Sequence, residues 1–167
     1  TEGYYYLTQD IVTMETWKPN NNVVLCLNGH SIAANGDFVV IEIDKGQFTL
    51  CDCNSSESMH YFTTSKEGLF TRWVPCEENT ENRISVTGGV ITHSVGRSDL
   101  GVKVDNNATF TMYGGTICGN KLQGSYNGAG VYVHNSTFNM YGGAIRGNAA
   151  SWGGGVAALG STFNMYG

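Results

Sequence analysis

The stretch Phe138-Asn-Met-Tyr-Gly-Gly-Ala-Ile-Arg-Gly-Asn148 recurs in the sequence almost letter for letter. Phe110-Thr-Met-Tyr-Gly-Gly-Thr-Ile-Cys-Gly-Asn120 starts 28 residues before it, and Phe163-Asn-Met-Tyr-Gly167 starts 25 residues after it. Ile84-Ser-Val-Thr-Gly-Gly-Val-Ile91 reads as an earlier copy and Leu25-Cys-Leu-Asn-Gly-His-Ser-Ile32 as a degenerate one. Phe48-Thr-Leu50 starts another without the glycines. Self-similarity at a period of roughly 25 residues marks a solenoid, whose units cannot bury their apolar faces alone and stack to do so.

Within each copy apolar and polar residues alternate, so Phe110 and Met112 point one way and Thr111 the other. A strand precedes each motif at Ile41–Ile43, Val102–Val104, Val131–Val133 and Val156–Ala158, and a short one follows the glycines at Ile91, Ile117 and Ile145. Stacking at ~4.8 Å then places like side chains in columns. Ile84, Phe110, Phe138 and Phe163 form one expected column, Val86, Met112, Met140 and Met165 a second, and Ile91, Ile117 and Ile145 a third. Asn120 and Asn148 are expected at a corner, in the left-handed region, with their amides bonded to the next rung.

The expected organisation is a single domain. Residues 1–22 form an aromatic N-terminal cap, 23–53 the first rungs, 54–82 an insertion at a corner, and 83–167 regular rungs that continue beyond Gly167, where the motif breaks off. Only 14% of the 167 residues are charged, and 23 glycines supply turns. The net charge is −5 with nine scattered Lys and Arg, which excludes a phosphate-neutralising stripe and hence nucleic acid. No run approaches the ~20 apolar residues of a membrane span.

The motifs Asn139-Met-Tyr-Gly-Gly-Ala-Ile-Arg-Gly-Asn148 and Gly153-Gly-Gly-Val156 resemble the pectin-lyase-like right-handed parallel β-helix family. They are most similar to the Gly-rich repeats of bacterial secreted and cell-surface proteins. The resemblance implies an all-β, right-handed β-helix with a bacterial surface or secreted location. It does not choose a function, because such helices host lyases, glycosidases and adhesins alike.

The five cysteines include no C-x-x-C pair, and Cys51-Asp52-Cys53 is too tight for a two-residue zinc knuckle, so neither metal nor cofactor is expected. Cys53 and Cys76 flank the insertion, and a bridge between them would tie its base. Cys26 and Cys51 lie in successive rungs and can pair if their registers coincide. Cys118 is expected free and outward.

Functional candidates are the residues that break the repeat. Tyr61, Phe62, Phe70, Arg72 and Trp73 in the insertion form either a recognition surface or a flap folded onto the wall. Tyr126 and Trp152 occupy successive loops between rungs and could flank one surface. Catalytic chemistry is confined to a column of Asp44, Asp105 and His134, with Lys103 and Tyr132 beside it. His30 and His93 read as hydrogen-bonded corner residues. The reading that follows is a non-catalytic, adhesin-like segment that recognises a host protein such as an immunoglobulin, or a carbohydrate. The alternatives are a fragment of a polysaccharide lyase or glycoside hydrolase, and a structural stalk.

Overall fold

A computed structural model describes residues 2–56, 58–122 and 127–166. These residues are all-β, with no α-helix, and most strands belong to three parallel sheets. Sheet A is ordered β1 (Gly3–Tyr6), β3 (Val23–Cys26), β6 (Gln47–Cys51), β12 (Thr109–Met112), β15 (Thr137–Met140) and β18 (Thr162–Met165). Sheet B runs from β2 (Ile11–Thr13) through β4 (Ser31–Ala34), β10 (Val90–His93) and β13 (Thr116–Cys118) to β16 (Ala144–Arg146). Sheet C contains β5 (Ile41–Ile43), β11 (Val102–Val104), β14 (Val131–His134) and β17 (Val156–Leu159). An antiparallel sheet of β7 (Met59–Glu67), β8 (Phe70–Pro75) and β9 (Ile84–Thr87) completes the structure.

The chain visits sheets A, B and C in that cyclic order and returns each time to the neighbouring position. Alternation within each strand sends one side chain in two to a shared interior, because Cβ atoms of successive residues point to opposite faces. The pairings align Phe48, Phe110, Phe138 and Phe163 in one column and Leu25, Leu50, Met112, Met140 and Met165 in another. Ile11, Ile32, Ile91, Ile117 and Ile145 form a third. The Phe110 and Phe138 rings stack with centroids 4.8 Å apart, and Phe138 and Phe163 with centroids 4.9 Å apart.

Several expectations change. Ile84 and Val86 do not join the phenylalanine and methionine columns. Their strand β9 pairs antiparallel with β7, while Phe48 and Leu50 stand opposite Phe110 and Met112. The excursion from the three sheets therefore runs from Cys51 to Val90, past Asn82. The expected cap over residues 1–22 is not irregular in its described part, residues 2–22: β1 pairs in parallel with β3, β2 with β4, and Trp17 with Ile41, as a first circuit would. Asn120 and Asn148 lack the left-handed conformation, which Gly119 and Gly147 adopt one residue earlier. Their amides do ladder, with Asn120 Nδ2 donating to Asn148 Oδ1 at 3.0 Å and Asn148 Nδ2 to the Ile117 carbonyl at 2.9 Å. Leu25 faces Leu50, so Leu25-Cys-Leu27 is offset by two from Phe48-Thr-Leu50.

The disulfide joins Cys26 to Cys53, with Cα atoms 6.2 Å apart, and Cys76 is free. The expected Cys53–Cys76 bridge fails because Cys53 lies two residues past the end of β6, which runs beside β3 and brings it to Cys26. Cys118 is free but not exposed. It faces away from the main interior, and the hairpin β7–β8 covers it in a second small core with Phe62, Val86 and Val90. Burial pushes its thiol up to about 12.

Candidate binding cleft

The insertion folds back on the outer face of sheet B. Arg72 is only 2% exposed, and its guanidinium donates to the Gly119 carbonyl at 2.9 Å, the Arg97 carbonyl at 2.8 Å and Glu67 Oε1 at 3.0 Å. Glu67 also holds the ammonium of buried Lys121. The Lys121 hydrogen bond, helped by Arg72, holds the Glu67 carboxyl below its ordinary range against the opposing effect of burial. Trp73 donates its backbone N–H to the Gly147 carbonyl at 2.8 Å, and Arg146 lies over its ring at 5.4 Å. A Cβ on Gly147 would come within 2.3 Å of the Trp73 ring, so glycine is required there by contact as well as by its φ of +63°.

These contacts decide how the insertion candidates stand. Phe62 and Arg72 are buried and unavailable to a ligand, and Trp73 is half-buried against Phe62 at 6.3 Å. Phe70 is half-buried beside the fully exposed Leu69. Tyr61 lies on the other face of β7, where its hydroxyl donates to Glu78 at 3.0 Å and Arg83 covers its ring. The five residues form no common surface. Tyr126 lies outside the described residues.

The residues that do come together are on sheet C. Ile41, Ile43, Val102, Val104, Val131 and Val133 fill the interior, so the alternate residues Glu42, Lys103 and Tyr132 align on the outer face. Asp44, Asp105 and His134 follow one step beyond in the same register. Lys103 Nζ sits 2.8 Å from Glu42 and 3.6 Å from Asp105, Lys18 Nζ sits 2.6 Å from Glu42, and His134 Nδ1 sits 3.0 Å from Asp105. A row of alternating charge, Lys18, Glu42, Lys103 and Asp105, thus spans three neighbouring strand positions, and His134 extends the row to a fourth as a hydrogen-bond partner of Asp105. The Asn135 amide reaches His134 Nε2 at 3.2 Å, which orients the ring parallel to Tyr132.

Beside this row lies a cleft of about 410 Å³. Lys103, Asp105, Tyr132 and His134 form its floor, and the preceding connections supply Asp99, Leu100, Leu122 and Asn127 as walls. Asn127 forms a backbone bridge with Trp152, whose side chain is 71% exposed in the next connection. The size falls in the range of small-molecule and sugar sites. A larger apolar hollow of about 510 Å³ between Tyr5, Ile11, Trp17, Leu25 and Ile32 is the open end of the main core.

Electrostatics favour the charged forms of Lys103 and Asp105 in the floor and of Glu42 beside it. Burial alone would raise the Glu42 carboxyl, but Lys103 and Lys18 overcome it and hold the group below its usual value. For Asp105 burial is likewise outweighed, by His134, the Asn106 N–H and Lys103. The hydrogen bond to Glu42 raises Lys103 above the ordinary lysine value.

The sequence pattern identified the column but missed the walls, which lie in connections that differ from copy to copy. It also missed an exposed ladder of Tyr113, Tyr141 and Tyr166, stacked with centroids 5.0 and 4.4 Å apart. The signal was present, since each follows an inward Met and must point outward. His93 is a corner residue as expected, buried with Nδ1 2.7 Å from Asn120 Oδ1 and Nε2 2.9 Å from the Phe38 carbonyl.

Together these features define an all-β protein of stacked parallel sheets that carries a shallow charged cleft on one wall. No family model, curated protein or solved structure matches the chain.

Proposed function

We propose that the chain is a non-catalytic, glycan-binding segment of a right-handed parallel β-helix, carried by a secreted or cell-surface bacterial protein. The cyclic passage through three parallel sheets supports the helical architecture, and the right-handed preference of parallel crossovers supports its hand. The sheet C cleft carries the functional reading. It is concave, its floor offers fixed donors and acceptors, and Tyr132 and the neighbouring Trp152 offer aromatic faces of the kind on which sugar rings stack.

Binding fits the protonation pattern better than catalysis. A glycosidase acid needs a carboxyl raised toward neutrality, and a lyase lysine base needs a depressed ammonium. Here Asp105 in the cleft and Glu42 beside it are lowered and Lys103 is raised, so each favours its charged form. A protein ligand such as an immunoglobulin is supported less well, because Phe62 and Arg72, two of the insertion's candidate anchors, are buried.

The test is retention on a panel of immobilised polysaccharides and mucosal glycans, with immunoglobulin as the protein arm. The expected result is glycan retention that falls at least tenfold in Tyr132→Ala and Trp152→Ala while circular dichroism is unchanged. Retention on immunoglobulin alone, or glycan binding indifferent to both substitutions, refutes the proposal.

A further inference from the structure

The Cys26–Cys53 disulfide has a third sulfur beside it. Cys26 and Cys51 are direct partners in the parallel pairing of β3 and β6, and Cys53 follows Cys51 by two residues. The Sγ atoms of Cys26, Cys51 and Cys53 all lie within 4.8 Å of one another. Among the described residues no other group of three or more His, Cys, Asp or Glu donors converges in this way. The C-x-C spacing that argues against a knuckle is completed by a neighbouring strand, a combination that local sequence does not display.

We infer that, with the disulfide reduced, Cys26, Cys51 and Cys53 form a three-thiolate site for a soft metal ion of filled d shell, such as Cu(I), Zn(II) or Cd(II). Metal–sulfur bonds of about 2.3 Å in a trigonal arrangement put the sulfurs roughly 4 Å apart; Cys51 already lies within this reach, and the Cys26 and Cys53 sulfurs separate to it by side-chain rotation once their bond is reduced. Asp52 is the nearest alternative donor in sequence, but its two carboxylate oxygens accept the Gly29 N–H at 2.8 Å and the Gly89 N–H at 2.7 Å. The donor set is therefore all sulfur, which selects soft ions over Mg²⁺ or Ca²⁺. The Cys53 backbone N–H lies 3.0 Å from Cys26 Sγ, a contact that favours a thiolate there. Burial is graded from Cys26 (buried) through Cys51 (half-buried) to Cys53 (exposed), which leaves an entry path.

The chemistry balances in two steps. A dithiol reductant gives two electrons and two protons to the Cys26–Cys53 bond, yielding two protein thiols and its own disulfide. The three thiols then exchange three protons for one metal ion, with no further electron transfer. Disulfide and metal are thus mutually exclusive states of one site.

The test is an anaerobic Cd²⁺ titration of the 167-residue protein, reduced with a dithiol that is then removed. Thiolate-to-cadmium charge-transfer absorption is expected to saturate at one equivalent, with native mass spectrometry showing one bound ion. The oxidised protein gives no such absorption, Cys51→Ser lowers it by about a third and weakens binding, and Cys76→Ser leaves it unchanged. Should Cys51→Ser fail to fold, Cd²⁺ protection of Cys51 and Cys53 against alkylation in the wild-type protein, read by peptide mass mapping, decides the matter. Absorption unchanged in Cys51→Ser, dependence on Cys76, or no protection of Cys51 and Cys53 overturns the inference.

Discussion

Arg72 illustrates how a charged residue comes to be buried in a protein with so few charges. Its guanidinium fills a gap between the hairpin and sheet B that backbone carbonyls line, and the Glu67 carboxylate bridges it to the Lys121 ammonium. Removing one partner of such a group leaves a buried charge uncompensated, which costs about 3 kcal/mol or more. Glu67→Gln and Arg72→Ala are each expected to lower the unfolding free energy obtained from urea titration by this order, with the Glu67 figure reduced because that side chain is partly exposed. The pH dependence has a definite sign. The folded Glu67 carboxyl lies below its free value of 4.5, so its contribution is complete above that pH and disappears as pH falls through the lower folded value. Denaturation curves between pH 7 and pH 3 should show this acid loss in the wild-type protein and a reduced loss in Glu67→Gln. An identical pH slope in both would show that the pair does not report on folding.

At the level of elements, the strand motifs were legible because alternation and recurrence are local properties of the chain. Partners are not local, and β9 shows the limit. Ile84-Ser-Val-Thr-Gly-Gly has the letters of a repeat strand, yet the excursion supplies β7 as an antiparallel partner and withdraws β9 from sheet A. The buried hairpin was illegible for the same reason, since Phe62, Arg72 and Trp73 read equally well as a platform or as a docked face. The cleft was half legible: its floor follows the strand register, whereas its walls come from connections with no period. Cysteine pairing also depended on register. Because β3 and β6 align Cys26 with Cys51, Cys53 reaches Cys26 and leaves Cys76 free. Alkylation of the denatured, unreduced protein should therefore modify Cys51, Cys76 and Cys118. Cys53→Ser should lose about 3 kcal/mol by loop entropy, while Cys76→Ser stays within ~0.5 kcal/mol of wild type. A mass map that linked Cys76 to any other cysteine would contradict the register.

For the molecule as a whole, the interior is a set of columns in which each residue touches mainly the strand before and the strand after. Coupling should then be strong between neighbours and weak at a distance, as in a one-dimensional array. Phe110 and Phe138 stack at 4.8 Å with planes 7° apart, so truncating both creates one shared cavity. Each single change to Ala is expected to cost about 3–5 kcal/mol, and the double mutant should depart from additivity by about 1 kcal/mol. Val23 occupies the same column as Phe138 but three strands away, a separation on the order of 14 Å at the usual strand spacing. Val23→Ala and Phe138→Ala should therefore add to within ~0.5 kcal/mol. Chemical denaturation of the five variants and the wild type measures both cycles with one method. Equal coupling in the near and distant pairs would mean that the three sheets fold as one indivisible core, and stability could not then be assigned circuit by circuit.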